Sequence, residues 1–328
     1  MHRAADPSRW QGRTDEEEGP RALRWHQQVR PLAPGAGAPP GVALLGFASD
    51  EGVRRNQGRV GAAEGPAALR RALAGLAWRG GRPVHDAGDV VVVEEALEEG
   101  QEELGAHVAR LLGEGHLPIV LGGGHEVAYG SFLGLAAHAA RPDREFRRSA
   151  AGSAARTVPR LGLVNLDAHL DLRAGRASSG TPFRQIAEAC AGRGWPFRYL
   201  CLGLDEAANT GALLETAARL GAAWRRDRDC TPTRLAEVRG ALAAFLDLTD
   251  LVQLSLDLDA LPGHVAPGVS APAARGLALE VVEALVDDVL ASGRLAVFEL
   301  AELNPRLDQD GRTARVAARL VEQVARGA

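Results

Sequence analysis

The stretch LGLVNLDAHLDLR (161–173) passes from a short apolar run directly into alternating acids and histidine. LGLVNL reads as a buried strand, too short for a helix and continuous in its apolar character. Asp167, His169 and Asp171 follow at i, i+2 and i+4, a spacing that extended backbone turns to a single face. Two other runs end in the same way: PIVLG (118–122) leads into GGGHE (122–126), and LVQLSL (251–256) into DLD (257–259). His125, Asp257 and Asp259 therefore join the set. A lone Asp at a strand end would more often cap the next loop. Four carboxylates and two imidazoles delivered together carry too much negative charge to gather without cations. Two divalent ions about 3.5–4 Å apart would neutralise that charge and supply a hydrolytic nucleophile at neutral pH. Oxygen-rich donors suit Mn²⁺ better than zinc, so two Mn²⁺ per chain are expected.

Outward from this stretch, short apolar runs recur: VALLGF (42–47), DVVVV (89–93), RYLCLG (198–203), AAWRR (222–226) and LAVFEL (295–300) complete a set of eight with the three above. AAWRR has the weakest strand character. Segments of helical periodicity separate most of them, such as GPAALRRALAGL with Pro66 in its first turn and TPTRLAEVRGALAAFL with a Thr cap before Pro232. The pattern predicts an α/β fold: one three-layer domain over 41–328, with a parallel, doubly wound sheet of about eight strands covered on both faces. In such a sheet, ligand sites form outside the carboxyl ends of the strands, where His125, Asp167, Asp257 and Glu302 all fall. Residues 1–40 read as an N-terminal arm. It is tied on by RPLAPGAGAPP (30–40), whose four prolines exclude regular structure. Residues 141–160, poor in apolar side chains, read as an exposed, poorly ordered excursion.

A net charge of −4 and an aromatic fraction of 4% argue against a nucleic-acid partner. No run reaches the length of a membrane span, and the polar N-terminus lacks a signal-like apolar region, so a cytoplasmic protein is expected. Cys190, Cys201 and Cys230 are odd in number and form no CxxC, which reads as buried thiols of a reducing compartment. All 38 basic residues are Arg, so one arginine carries little weight by itself. The triple glycine is no phosphate loop, because neither GxGxxG nor a following Lys-Ser/Thr is present; the glycines are expected to let the backbone turn tightly beside the metals. Glu126 reads as a first-turn helix acid at least as readily as a participant in the site. Glu299 is expected to face away from Glu302. Of the remaining histidines only His264, in the loop after DLD, is expected near the cleft.

GGGHE, NLDAHLDLR, SLDLDALPGHVAPGVSAP and ELNP, in that order, resemble the signature blocks of the arginase/agmatinase/formimidoylglutamase superfamily. WQGRTDEEEGPRALRWHQQV (10–29), GFASDEGVRRNQGRVGAAEGPAALR (46–70) and SSGTPFRQI (178–186) resemble its formimidoylglutamase branch. The resemblance implies an arginase-like fold and matches His125, Asp167, His169, Asp171, Asp257 and Asp259 to the family's two-metal ligand set. It further implies that Glu302 holds the substrate's amidine or guanidine cation and that Asp171 carries the proton to the leaving amine. Arginase has an amide side chain at the place of Arg173; an arginine there suits a substrate carboxylate, with Arg184 the second candidate. Ser179 stands where arginase carries a proton-relaying histidine, a departure that argues against arginase activity. The implied reaction is hydrolysis of N-formimidoyl-L-glutamate to L-glutamate and formamide in histidine degradation. The expected partners are this small-molecule substrate and further copies of the chain. Another ureohydrolase, such as an agmatinase or guanidino-acid hydrolase, would keep every ligand but read the substrate tail differently. A non-catalytic relative would be expected to have lost ligands.

Overall fold

The computed structural model describes residues 1–141 and 159–328 of the chain; the excursion expected at 141–160 lies almost wholly outside the described residues. Ten strands form one sheet: β1 (His2–Arg3), β2 (Arg30–Pro31), β3 (Val42–Ala48), β4 (Val84–Val91), β5 (Leu117–Leu121), β6 (Leu161–Leu166), β7 (Tyr199–Leu204), β8 (Ala223–Arg226), β9 (Leu251–Asp257) and β10 (Leu295–Ala301). Their order is β1-β4-β3-β5-β10-β9-β6-β7-β8, with β2 pairing β4 off this path. Every pairing is parallel except that of β1 with β4. The eight strands expected from the apolar runs are all present, AAWRR included, as the edge strand β8.

Strand alternation divides the core into two layers. From β3, Val42 and Leu44 pack on one side with the helices Gly65–Ala74, Leu235–Leu246, Leu279–Ala291 and Arg312–Gly327. Ala43, Leu45 and Phe47 pack on the other with Leu97–Gly113, Val127–Ala139 and Pro182–Gly192. Both faces of the central strands are thus buried, which is why their sequences read as unbroken apolar runs. All three cysteines are buried and free. Among the described residues, no helix is long and apolar enough to cross a membrane.

Two expectations need correction. The arm is tied into the sheet, because β1 and β2 both pair with β4, and residues 30–40 begin with the short strand β2. Pro31 is tolerated there since the pairing is only two residues long. Strand β4 also starts five residues before DVVVV. The strand carries Asp86 and Asp89, which meet the buried Arg70 at 2.8 and 2.6 Å, while Trp10 Nε1 and Arg9 Nη1 from the arm donate to the same two carboxylates. This ion cluster fastens arm to sheet. Burial alone would push the Asp86 carboxyl up, but the Arg70 charge together with hydrogen bonds from Arg70, Trp10 and the Gly88 N–H holds the group below the usual carboxylate range.

Candidate metal centre

The sheet brings the carboxyl ends of β5, β6, β9 and β10 side by side, since β10 lies between β5 and β9 and β6 lies beyond β9. On β9, Val252, Leu254 and Leu256 face one core, so Gln253, Ser255 and Asp257 face the other. On β6, Asn165 and Asp167 share that second face, and His125 enters from the loop after β5. Asn165 Nδ2 donates to Asp167 Oδ2 at 2.9 Å, and His125 Nε2 lies 2.8 Å from Ser255 Oγ. Period-two alternation therefore sets a polar anchor two residues before Asp167 and before Asp257.

Beyond Leu166 and Asp257 the strands end. β6 ends at Leu166, so DAHLD does not reach one face by strand alternation as its spacing suggested. Asp167 Oδ1 instead accepts the N–H of His169 at 2.6 Å. Asp257 Oδ1 accepts the N–H of Asp259 at 2.8 Å. The two motifs use the same local turn, an aspartate bonding the backbone two residues on, and it folds the second ligand back beside the first. Asp171 then takes a left-handed backbone conformation (φ 50°), as does Glu302 (φ 68°) after β10. Non-glycine residues rarely hold this conformation, and it persists where surrounding structure demands it, commonly at functional sites.

Gly122, Gly123 and Gly124 have a different reason from the one their sequence suggested. None of them has a positive φ. They are small because the loop is wedged between neighbours: a Cβ on Gly123 would overlap the Ser49 carbonyl, and one on Gly122 would crowd the Leu300 carbonyl. The wedge is held by Glu302, whose N–H donates to Gly123 O at 2.8 Å and whose Oε1 accepts from His125 N at 3.0 Å. Glu126 does not cap its helix with its side chain; its Oε1 accepts from Ser49 Oγ and Gly52 N, tying the loop after β3 to the site.

All six expected ligands come together. His125 Nδ1 lies 3.1 Å from Asp167 Oδ2, 2.9 Å from Asp171 Oδ2 and 3.1 Å from Asp257 Oδ2. His169 Nδ1 lies 3.1 Å from Asp259 Oδ2 and 3.4 Å from Asp167 Oδ1. Asp167 is common to two compact groups of potential ligand atoms, one with His125 and Asp171, the other with His169 and Asp259, each within 4.8 Å. Although three carboxylate oxygens surround it, the buried His125 Nδ1 makes no hydrogen bond with any of them, and Asp259 Oδ1 and Glu302 Oε2 are also buried without a partner. Buried ligand atoms clustered together with acceptors left without a hydrogen-bond donor are what cation sites require, so the residues fit two divalent ions.

The electrostatics point the same way. Burial, then the charges of Asp259 and Asp167, pushes the Asp257 carboxyl well up. Burial also raises Asp259, and burial with the Asp167 charge raises Asp171. Burial would lower His125, but contacts with Asp167, Asp171 and Asp257 hold it well above the ordinary imidazole value. The Asp259 charge does the same for His169. Asp167, between two imidazoles, is held low despite its burial. The protein alone thus seeks protons to offset its carboxylates, and bound cations would take over that part.

A cleft of about 350 Å³ opens on this centre, lined by His125, His169, Asp171, Asp257 and Glu302 below and by Asn56, Gln57, Arg59, Arg173, Ser179, Asn209 and Ser270 around it. Arg173 and Ser179, both singled out from sequence, line the cleft. Arg184 does not line the cleft: it pairs with Glu188 on its own helix at 2.6 Å. Its neighbour Phe183 faces the site, edge-on to His125 at 5.6 Å and stacked on Tyr199. Glu299 is buried on the strand and bonded by Gln253. His264 is exposed and outside the cleft lining. Asn56, Gln57, Arg59, Asn209 and Ser270 were not singled out from sequence. An NQG turn at 56–58 was the only local signal.

The Arginase family profile matches residues 40–326. A formimidoylglutamase of Ralstonia nicotianae is 55% identical over the whole chain and 97% of its own length. One from Aeromonas hydrophila is 53% identical over 97% of both chains. Among solved structures, a Trypanosoma cruzi formiminoglutamase crystallised with Mn²⁺ superimposes with a TM-score of 0.72 at 27% identity, covering 88% of this chain and 93% of its own. A Bacillus subtilis formimidoylglutamase shares the fold with a TM-score of 0.78 at 21% identity, over 93% and 92%. With its two ligand groups at the carboxyl edge of the sheet and its similarity extending over nearly the whole chain, the protein belongs to the arginase family.

Proposed function

We propose that this chain is a Mn²⁺-dependent formimidoylglutamase of histidine degradation, hydrolysing N-formimidoyl-L-glutamate to L-glutamate and formamide. The observation that carries the reading is the polarity of one cleft: a buried, unpartnered carboxylate oxygen of Glu302 at its base and the unpaired guanidinium of Arg173 at its mouth. Among the described residues no carboxylate pairs with Arg173. A substrate cationic at one end and anionic at the other matches this arrangement. Agmatine, which has no carboxylate, would make no use of Arg173. The high identity to curated formimidoylglutamases over the full chain supports the same choice.

Two divalent ions bound by His125, Asp167, His169, Asp171, Asp257 and Asp259 would lower the pKa of water toward about 7 and so supply the nucleophile. The rest falls to the chain's own groups. Glu302, fixed through Oε1 by the His125 N–H, offers Oε2 to the amidine N–H and orients the formimidoyl carbon toward the ligand cluster. Water adds to that carbon, and the bond to the glutamate nitrogen breaks once that nitrogen is protonated. Asp171, thrust into the cleft by its left-handed backbone, is placed to carry that proton. Ser179, unable to relay a proton as an imidazole can, is bonded by Asn56 and shapes the wall.

Parallel assays with N-formimidoyl-L-glutamate, arginine, agmatine and guanidinobutyrate test the proposal. A clear preference for the first is expected; a preference for arginine or agmatine would refute it.

A further inference from the structure

The cleft holds a second arginine besides Arg173. Arg59 comes from the loop after the short helix Glu51–Arg55 and lines the cleft together with Ser270. Its guanidinium donates only to neutral acceptors, Nε to the Ser270 carbonyl at 2.8 Å and Nη2 to the Val269 carbonyl at 2.7 Å. No carboxylate among the described residues pairs with it. Its neighbours are different: Arg54 and Arg55 both bind Glu51, and Arg306 binds Glu64. Carbonyl partners fix the direction of a guanidinium without cancelling its charge, and they leave its other N–H donors free.

The loop that carries Arg59 is pinned from two sides. Arg59 N donates to Ser270 Oγ at 2.8 Å, in the loop after β9. Asn304 Nδ2, after β10, donates to the carbonyls of Arg59 and Val60 at 2.9 and 3.1 Å. Gly61 N donates to Asp50 Oδ2 at 2.7 Å, and Gln57 is held at a φ of 61°. Three segments distant in sequence thus converge to hold one exposed, unneutralised cation over the centre. Such preorganisation lowers the entropy lost when an anion binds.

We infer that Arg59 binds the second carboxylate of a dicarboxylate substrate, Arg173 taking the other. The inference rests on the proposed function and extends it to how the substrate tail is read. N-Formimidoyl-L-glutamate carries an α- and a γ-carboxylate, and one guanidinium fork matches one carboxylate. With Arg173 alone, the remaining carboxylate would face a cleft whose other polar walls, Asn56, Ser179 and Asn209, are neutral and whose base is rich in aspartate.

The test pairs enzyme variants with substrates that lack one charge: N-formimidoyl-L-glutamine, without the γ-carboxylate, and N-formimidoyl-L-isoglutamine, without the α-carboxylate. Wild-type enzyme should prefer the dicarboxylate over each monoamide by about tenfold in kcat/KM, the low end for a charge-assisted contact because both arginines are exposed. Arg59→Gln keeps an amide donor for the Ser270 loop but loses the charge. It should raise KM about tenfold with kcat and metal content held, and lose the preference against one monoamide only. Arg173→Gln should lose it against the other, and Arg59→Lys should restore part of what Arg59→Gln loses. If Arg59→Gln keeps the wild-type preference against both monoamides, or weakens all three substrates equally, Arg59 only braces its loop and the inference fails. Product inhibition of the wild-type enzyme needs no variant: L-glutamate should inhibit more strongly than L-glutamine and L-isoglutamine, and equal inhibition by all three would overturn the two-carboxylate site. Wild-type turnover of arginine or agmatine, with none of the three formimidoyl compounds accepted, would overturn the proposed function itself, independently of what Arg59 does.

Discussion

Replacing Glu302 by Gln separates cation recognition from metal binding. The amide oxygen can take the place of Oε1 and keep the bond from His125 N, so the wedge of Gly122–Gly124 should hold. The amide nitrogen then takes the place of Oε2, a buried atom with no protein partner, and presents donors where the substrate also presents donors. The Glu302 carboxyl is pushed well up by burial and by the charges of Asp257, Glu126 and Asp259, so the neutral amide should cost the fold nothing. A charge-assisted hydrogen bond is worth about 1.5–3 kcal/mol, which corresponds to a loss of roughly ten- to more than hundredfold in kcat/KM. Steady-state kinetics on N-formimidoyl-L-glutamate, with elemental analysis and a thermal melt of the same preparation, should show that loss with unchanged metal and an unreduced Tm. Loss of metal would place Glu302 among the ligands, and unchanged kinetics would remove it from substrate binding; either refutes the role derived for it.

Arg173→Met should raise KM for N-formimidoyl-L-glutamate while metal content holds; unaltered kinetics would show that no carboxylate is read there. Ser255→Ala removes the group against His125 Nε2 and should weaken metal retention on dialysis about 10- to 100-fold, the usual cost of losing an outer partner of a ligating imidazole; metal affinity equal to wild type would contradict it. Asp86→Asn leaves the buried Arg70 short of a partner and should cost about 3–5 kcal/mol at neutral pH by denaturant unfolding. Because the folded Asp86 carboxyl is held below its unfolded value near 3.9, its stabilisation is present above that value and is lost as pH falls through the folded one. The gap between wild type and Asp86→Asn should therefore be full near pH 6 and close in acid; a gap independent of pH would refute the ionic account of the arm's attachment.

The strands buried on both faces were legible because parallel central strands leave no polar side to interrupt them. β4 was legible only from Asp89 onward, since Asp86 looks like a loop residue until Arg70 and Trp10 are known to meet it. The six ligands could be picked out by residue type and spacing, yet the local geometry was misjudged. DAHLD and DLD meet the site through aspartate turns and a left-handed Asp171, features that spacing alone does not encode. Arg184 stood second to Arg173 in sequence, and only the packing of Phe183 against His125 shows which way that helix faces. Arg59 could not be singled out among so many arginines, because the Ser270 that holds it is 211 residues away.

The central claim is that the two ligand groups sharing Asp167 hold a pair of ions that the reaction needs. Elemental analysis of fully active, dialysed enzyme measures this directly. About two divalent ions per chain are expected, with activity lost on chelation and restored best by Mn²⁺, and Asp167→Ala should lose at least one ion. Full activity with no metal, or with a single tightly bound ion, would contradict the account.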